Sequence, residues 1–340
     1  MNPSLTRLAC LLFLSIFALL PAHAQQQSQL FGVQKAAIDP ICSPDDALLT
    51  VSDEQTEGFQ VWDVASRKPL WKSDDYFMCF SPPNTETNRT KYVMVARGAH
   101  PEEDSLPDLK GVKLELLDAD TGKFRRQMDQ LSGDDQDAEA DGILDYGFSA
   151  DGSQFRMATQ NYLRIYSPGN SFLYPLIEWS GINKDNGLSC AYFAPKKDQV
   201  VAFDGSIVIL NATTGALIRR FPLFVPPLPK TGKTTDGPHH LEVSGDESLF
   251  VEQFDEADTS RVYRLSDGKL LWSTKDWVTF SPDGKLAYVP SSTGLGVLDA
   301  RTGRKLKQLR GPKEYGFAPS TDGNWLYEAR EGKIFRWRTR

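Results

Sequence analysis

Seven segments of this chain repeat one short pattern: an apolar residue, a small residue, then a turn former. They are Ile41-Cys42-Ser43-Pro44, Phe80-Ser81-Pro82, Phe148-Ser149-Ala150, Phe193-Ala194-Pro195, Val243-Ser244-Gly245, Phe280-Ser281-Pro282 and Phe317-Ala318-Pro319. The small residue falls at 43, 81, 149, 194, 244, 281 and 318, so successive gaps are 38, 68, 45, 50, 37 and 37 residues. A spacing of about 40 residues filled with strand-like sequence marks a repeat array in which each unit is one small sheet. The expected fold is all-β: a single seven-bladed β-propeller of four-stranded antiparallel blades.

The stretch from Trp277 to Arg310 is the clearest copy of one blade. Trp277 to Phe280 reads as the innermost strand, a, and Ser281-Pro282-Asp283-Gly284 as a tight turn. Proline presets φ there, and Asp-Gly tolerates a positive φ. Lys285 to Val289 reads as strand b, and Leu295 to Leu298 as strand c. Asp299-Ala300-Arg301-Thr302-Gly303 turns again, and Arg304 to Leu309 forms the outer strand d. Apolar alternation and β-branched or aromatic residues support each strand. The c-turn-d half recurs at Leu116 to Gly122, Ile209 to Gly215 and Val61 to Ser66, and is eroded at Tyr263 to Gly268. The aspartates of these turns belong to separate blades, and each is expected to bond its own turn backbone.

These residues resemble two related groups of repeats. The Phe-Ser-Pro-Asp-Gly anchors are similar to WD40-like and TolB-type or YVTN-type repeats. The Leu-Asp-x-x-Thr-Gly turns, with Trp71 or Trp272, resemble quinoprotein-like repeats. The resemblance covers nearly the whole chain after its first residues and implies architecture only. The Gly-His pair of eukaryotic-style WD40 blades is absent, which points to a bacterial-type propeller.

The two ends explain closure. The last repeat supplies only three strands, near Tyr315 to Ala318, Trp325 to Ala329 and Lys333 to Trp337. Its missing outer strand is expected from Leu30 to Ile38, which would remove an open sheet edge. Residues 1–24 read as a Sec-type signal peptide, leaving residues 25–340 as the propeller. Arg7 gives a minimal basic start, Leu8 to Leu20 an apolar stretch, and Ala22-His23-Ala24 a small-x-small cleavage site before Gln25. No later run is apolar enough to span a bilayer. The expected compartment is therefore periplasmic or secreted.

Net charge is −7, with no basic block, so nucleic acid is a poor partner. Three cysteines follow the signal: Cys42, Cys79 and Cys190. An odd number cannot form a complete disulfide framework. They read as small buried residues, with a Cys42–Cys79 bridge between neighbouring blades as the alternative.

In an alternating meander, b–c and d–a connections emerge on one face, and a–b and c–d connections on the other. The long connections, 98–111, 130–142, 180–188 and 224–239, are all of the first kind. The stretch Pro83 to Thr90 is the exception on the opposite face. Long loops on a rigid scaffold are where binding residues concentrate. One group of candidates is acidic: Glu102, Glu103, Asp104, Asp108, Asp134, Asp135, Asp137, Glu139 and Asp141. The other is basic, in a proline-rich loop: Lys230, Lys233, His239 and His240. The acidic spacing matches no calcium loop.

Catalytic chemistry is sparse. The histidines after the signal, His100, His239 and His240, come with no Gly-x-Ser-x-Gly elbow and no metal-ligand spacing. Asp145 and Glu314 read as isolated acids on inner strands. No catalytic residue, metal site or cofactor is expected. The chain reads as a monomeric, non-catalytic scaffold of the cell envelope that binds a protein or small ligand on its long-loop face. The alternative is a propeller enzyme of lactonase or quinoprotein dehydrogenase type, working at the channel mouth.

Overall fold

The computed structural model describes residues 28–32, 37–53, 58–98, 112–130, 143–168, 176–183, 187–221, 240–254, 259–309, 317–330 and 333–339. They form seven four-stranded antiparallel sheets. Blade 1 comprises β2 (Ala37–Cys42), β3 (Leu48–Asp53), β4 (Phe59–Asp63) and β5 (Lys68–Ser73). Blade 2 is β6 (Tyr76–Phe80), β7 (Tyr92–Arg97), β8 (Lys113–Asp118) and β9 (Phe124–Gln130). Blade 3 is β10 (Ile143–Phe148), β11 (Phe155–Thr159), β12 (Tyr162–Tyr166) and β13 (Ile177–Glu178). Blade 4 is β14 (Cys190–Ala194), β15 (Gln199–Phe203), β16 (Ile207–Asn211) and β17 (Leu217–Phe221). Blade 5 is β18 (His240–Val243), β19 (Leu249–Phe254), β20 (Thr259–Arg264) and β21 (Leu270–Thr274). Blade 6 is β22 (Thr279–Phe280), β23 (Leu286–Ser291), β24 (Gly294–Asp299) and β25 (Lys305–Leu309). Blade 7 is β26 (Phe317–Pro319), β27 (Trp325–Arg330) and β28 (Lys333–Arg338), completed by β1 (Ser28–Gly32).

The first strand of each blade is innermost. β6, β10, β14, β18 and β22 touch in succession, and β26 touches β2. The last strands are the most exposed. Period-two alternation sends neighbouring residues of one strand into opposite seams. In β19, Leu249 and Val251 pack toward blade 6, while Phe250 packs toward blade 4. That is why all six residues of β19 are buried. One apolar cluster fills each of the seven seams. At roughly 1.5–3 kcal/mol per fully buried large aliphatic or aromatic side chain, these seams are the main source of stability.

The anchor serines act as turn clamps. Ser281 Oγ accepts from Leu286 N at 2.9 Å and donates to Asp283 Oδ1 at 2.7 Å. Ser43, Ser149 and Ser244 repeat both bonds with the residues at the same offsets. Blade 7 corrects the expected register. Its clamp is Ser320, which accepts from Trp325 N at 3.0 Å and donates to Asp322 at 2.6 Å, not Ala318. Phe317-Ala318-Pro319 imitates the anchor, but the turn is built on Ser320-Thr321-Asp322-Gly323.

Neighbouring blades also interlock at the rim. Trp71 Nε1 donates to Ala119 O, and Trp272 Nε1 to Ala300 O, both at 2.8 Å. Each indole lies on the glycine of the next blade's c–d turn. A Cβ on Gly122 would fall 2.6 Å from the Trp71 ring, and one on Gly303 would fall 2.8 Å from Trp272. Both glycines have positive φ, at 67° and 66°, so the turn and the close approach each demand glycine. The turn aspartates bond their own backbones as expected: Asp118 accepts from Thr121 N at 3.0 Å and Asp299 from Thr302 N at 2.9 Å.

The ring closes as the missing strand implied, with a shifted boundary. β1 pairs antiparallel with β28, from Ser28 opposite Arg336 to Gly32 opposite Lys333. Ala37 and Ile38, expected in that outer strand, instead begin the inner strand of blade 1. The signal expectation over residues 1–24 lies outside the described residues. Cys42, Cys79 and Cys190 are free thiols, so the alternative bridge between Cys42 and Cys79 is not formed. Among the described residues no helix is long and apolar enough to cross a membrane.

Candidate functional site

The strand order places the long connections where the meander implied. They join β7 to β8, β9 to β10, β13 to β14 and β17 to β18. All four are b–c or d–a links and leave strand ends on one face; the β6–β7 link and the β12–β13 link, the latter not anticipated from the sequence, leave from the other. Glu102, Glu103, Asp104, Asp108, Asp134, Asp135, Asp137, Glu139, Asp141, Lys230, Lys233 and His239 lie outside the described residues. Only His240 of the candidates is placed. It opens β18, is exposed, and its ring centroid lies 5.7 Å from that of Trp277.

The inner strands carry more titratable chemistry than the sequence suggested. Glu314 lies outside the described residues, but Asp145 is not isolated. Asp145, on β10, reaches across to blade 4, where its Oδ2 accepts from Phe193 N on β14 at 2.6 Å. Glu242, on β18, repeats the device one seam pair further on, with Oε1 accepting from Phe280 N on β22 at 2.8 Å. Each carboxylate therefore ties the inner strand of one blade to the main chain of the next. Sequence reading passed over Glu242 because β18 is only four residues long and follows a polar loop. Its signal was the alternation His240-Leu241-Glu242-Val243, which puts Glu242 on the face opposite Leu241.

Electrostatics links these groups across four consecutive inner strands. Burial raises the Asp145 carboxyl to about 7, against the opposing effect of N–H bonds from Phe193 and Tyr146. Burial likewise raises Glu242 to about 8, opposed by the Phe280 N–H. Tyr192 lies within the field of both carboxylates. Burial raises its phenol, and the negative charges of Glu242 and Asp145 add to the effect. The Cys79 thiol is raised by burial and then by Asp145. Tyr146 is raised by burial and by its neighbour Tyr76, which hydrogen-bonds it. The result is a chain of acids and phenols, most of them protonated near neutral pH. Such a chain can hold a proton and exchange hydrogen bonds. Among the described residues no three histidine, cysteine, aspartate or glutamate side chains cluster as a metal site.

Comparison with known proteins adds the fold class. Solved structures that match number 1458 chains. One is the crystal structure of the β-propeller domain of Cps50 (Swd1) from Myceliophteria thermophila. It aligns with a TM-score of 0.64 at 13% identity, covering 92% of this chain and 100% of that one. At that identity the likeness is one of fold, and the chain is a WD40-like seven-bladed β-propeller in architecture. No protein-family model and no curated protein matches it in sequence.

Proposed function

We propose that the protein is an exported, non-catalytic propeller that binds a protein or ligand in the cell envelope, of bacterial TolB- or YVTN-type lineage. The observation that carries this reading is the asymmetry of the ring: four connections of 11 to 18 residues leave strand ends on one face, against two of 11 and 10 residues, β6–β7 and β12–β13, on the other. The rest of the design supports it. Seam cores, serine clamps and the Asp145 and Glu242 ties make a rigid disc from which loops can vary without disturbing the fold. The acidic stretches at 102–108 and 134–141 would draw a cationic partner by speeding encounter more than by adding affinity.

The test is a loop exchange. Residues 131–142 are replaced by a short Gly-Ser turn, and capture of partners from the envelope fraction is compared with that of the parent chain. Melting should be unchanged, and capture should fall and lose its salt dependence. Capture that survives this change but disappears on altering Pro83 to Thr90 would put the binding face on the other side.

A second reading, a channel-mouth enzyme, draws support from one observation: two carboxyls poised near neutral pH with Tyr192 between their fields. Groups of that kind suit general acid–base work. Against it, each carboxylate already has one oxygen engaged by a main-chain N–H. Turnover of lactones by the parent chain, abolished in folded Asp145→Asn and Glu242→Gln variants, would favour the enzyme over the scaffold.

A further inference from the structure

We infer that a cleft on the short-turn face, across blades 4, 5 and 6, is a binding site for a small organic anion. The cleft has a volume of about 290 Å³, near the lower end of small-molecule sites. Its wall carries three cations from three different blades: Lys197 from the β14–β15 turn, Arg264 from the end of β20, and Arg301 from the β24–β25 turn. Leu249 and Leu271 add apolar lining, with Ser248 and Ser266 beside them. Convergent cations beside an apolar lining suit a ligand with a carboxylate or phosphate head and an apolar body. In a chain of net charge −7, this runs against the general field.

The repeat itself shows that the cleft departs from its blade plan. In four blades the c–d turn begins with an acid or amide that accepts an N–H three residues on. Asp63, Asp118, Asn211 and Asp299 do this for Ser66, Thr121, Thr214 and Thr302, at 2.5, 3.0, 2.7 and 2.9 Å. Blade 5 is in register with them. Leu265 N donates to Ser248 O as Ala119 N does to Lys91 O and Ala300 N to Lys285 O. Yet the cap position there is Arg264. The residue that replaces the cap lines the cleft.

Each of the three cations has an acid beside it, which an incoming anion must displace. Arg264 contacts Asp267 at 2.8 Å, and Arg301 stands 3.8 Å from Asp246. The Asp246 carboxylate is shared with the hydroxyls of Ser244 and Ser248. Lys197 donates to the main-chain oxygen of Glu247 and lies in the field of that residue's carboxylate. Arg219, donating to Ser266 O, adds a fourth cation at the edge. All four cations are exposed, so their side chains can reorient onto a ligand.

The probes are phenyl phosphate, benzoate, inorganic phosphate and, as a neutral control, benzyl alcohol, titrated into the full chain by calorimetry at low salt. Phenyl phosphate or benzoate should bind saturably and weaken with added salt. The tighter of the two identifies the head group, inorganic phosphate should bind more weakly, and benzyl alcohol should not bind. Arg264→Asp restores the cap found in four of the other blades, so it should melt no lower than the parent while losing roughly tenfold in affinity. Arg301→Gln should lose a similar factor. The inference fails if neither organic anion saturates below about 10 mM, or if both variants bind as tightly as the parent.

Discussion

The two channel carboxyls make a prediction whose sign and size both follow from the structure. Asp145→Asn and Glu242→Gln keep an oxygen that can accept from Phe193 N and Phe280 N, and remove the titration. In the native protein Asp145 moves from 3.8 to about 7 and Glu242 from 4.5 to about 8. Both shifts are upward, so between pH 4 and 8 the native state holds more protons than the unfolded state. Stability contributed by these groups is therefore complete below their unfolded values and is lost as pH rises through the folded ones. At about 1.4 kcal/mol per pH unit, three units give an upper value of roughly 4 kcal/mol per group. Both residues are only partly buried, and solvent screening cuts this to roughly 1–2 kcal/mol each. The assay is thermal melting of the parent and the double variant from pH 5 to 8.5. The two should be nearest in melting temperature at pH 5 and separate as pH rises. By pH 8.5 the double variant should lead by roughly 5 °C, at about 2 °C per kcal/mol for a chain of this size. A gap between the two that is the same at every pH would refute the reasoning.

Three further outcomes follow. Gly122→Ala and Gly303→Ala should each cost about 1–3 kcal/mol in denaturant unfolding, because the new Cβ meets Trp71 or Trp272 and the turn needs positive φ; a neutral result would mean the indoles do not dock there. Deleting residues 25–32 should open the edge of β28 and produce aggregation or a much lower melting temperature by light scattering and calorimetry. N-terminal sequencing of exported protein should begin at or near Gln25, and a retained Met1 would contradict export through a cleaved signal.

Much of the fold was legible because propeller repeats write their turns in residue types that have no substitute. Ser-x-Asp-Gly clamps and Asp-x-x-Thr-Gly caps gave the blade number, and a last repeat with three strands gave the clasp. Blade 7 was read two residues out of register because Phe317-Ala318-Pro319 matches the anchor in composition. Only hydrogen bonds separate it from Ser320. The channel ties were hidden for a different reason: the partners of Asp145 and Glu242 are main-chain N–H groups of the next blade, which no side-chain pattern records. The cleft was half legible. The erosion of the turn at Tyr263 to Gly268 was visible, but its meaning needed Lys197 and Arg301, 67 and 37 residues away, brought alongside by the ring.

The central claim is that this rigid ring presents its long connections to a partner. Its most direct test is hydrogen–deuterium exchange of the chain with and without the partner recovered from its envelope fraction. New protection should fall on peptides spanning 98–111, 130–142 and 224–239, with the c–d turns unchanged. Protection confined to Pro83 to Thr90 and the c–d turns, or to the channel residues Asp145, Tyr192 and Glu242, would contradict it.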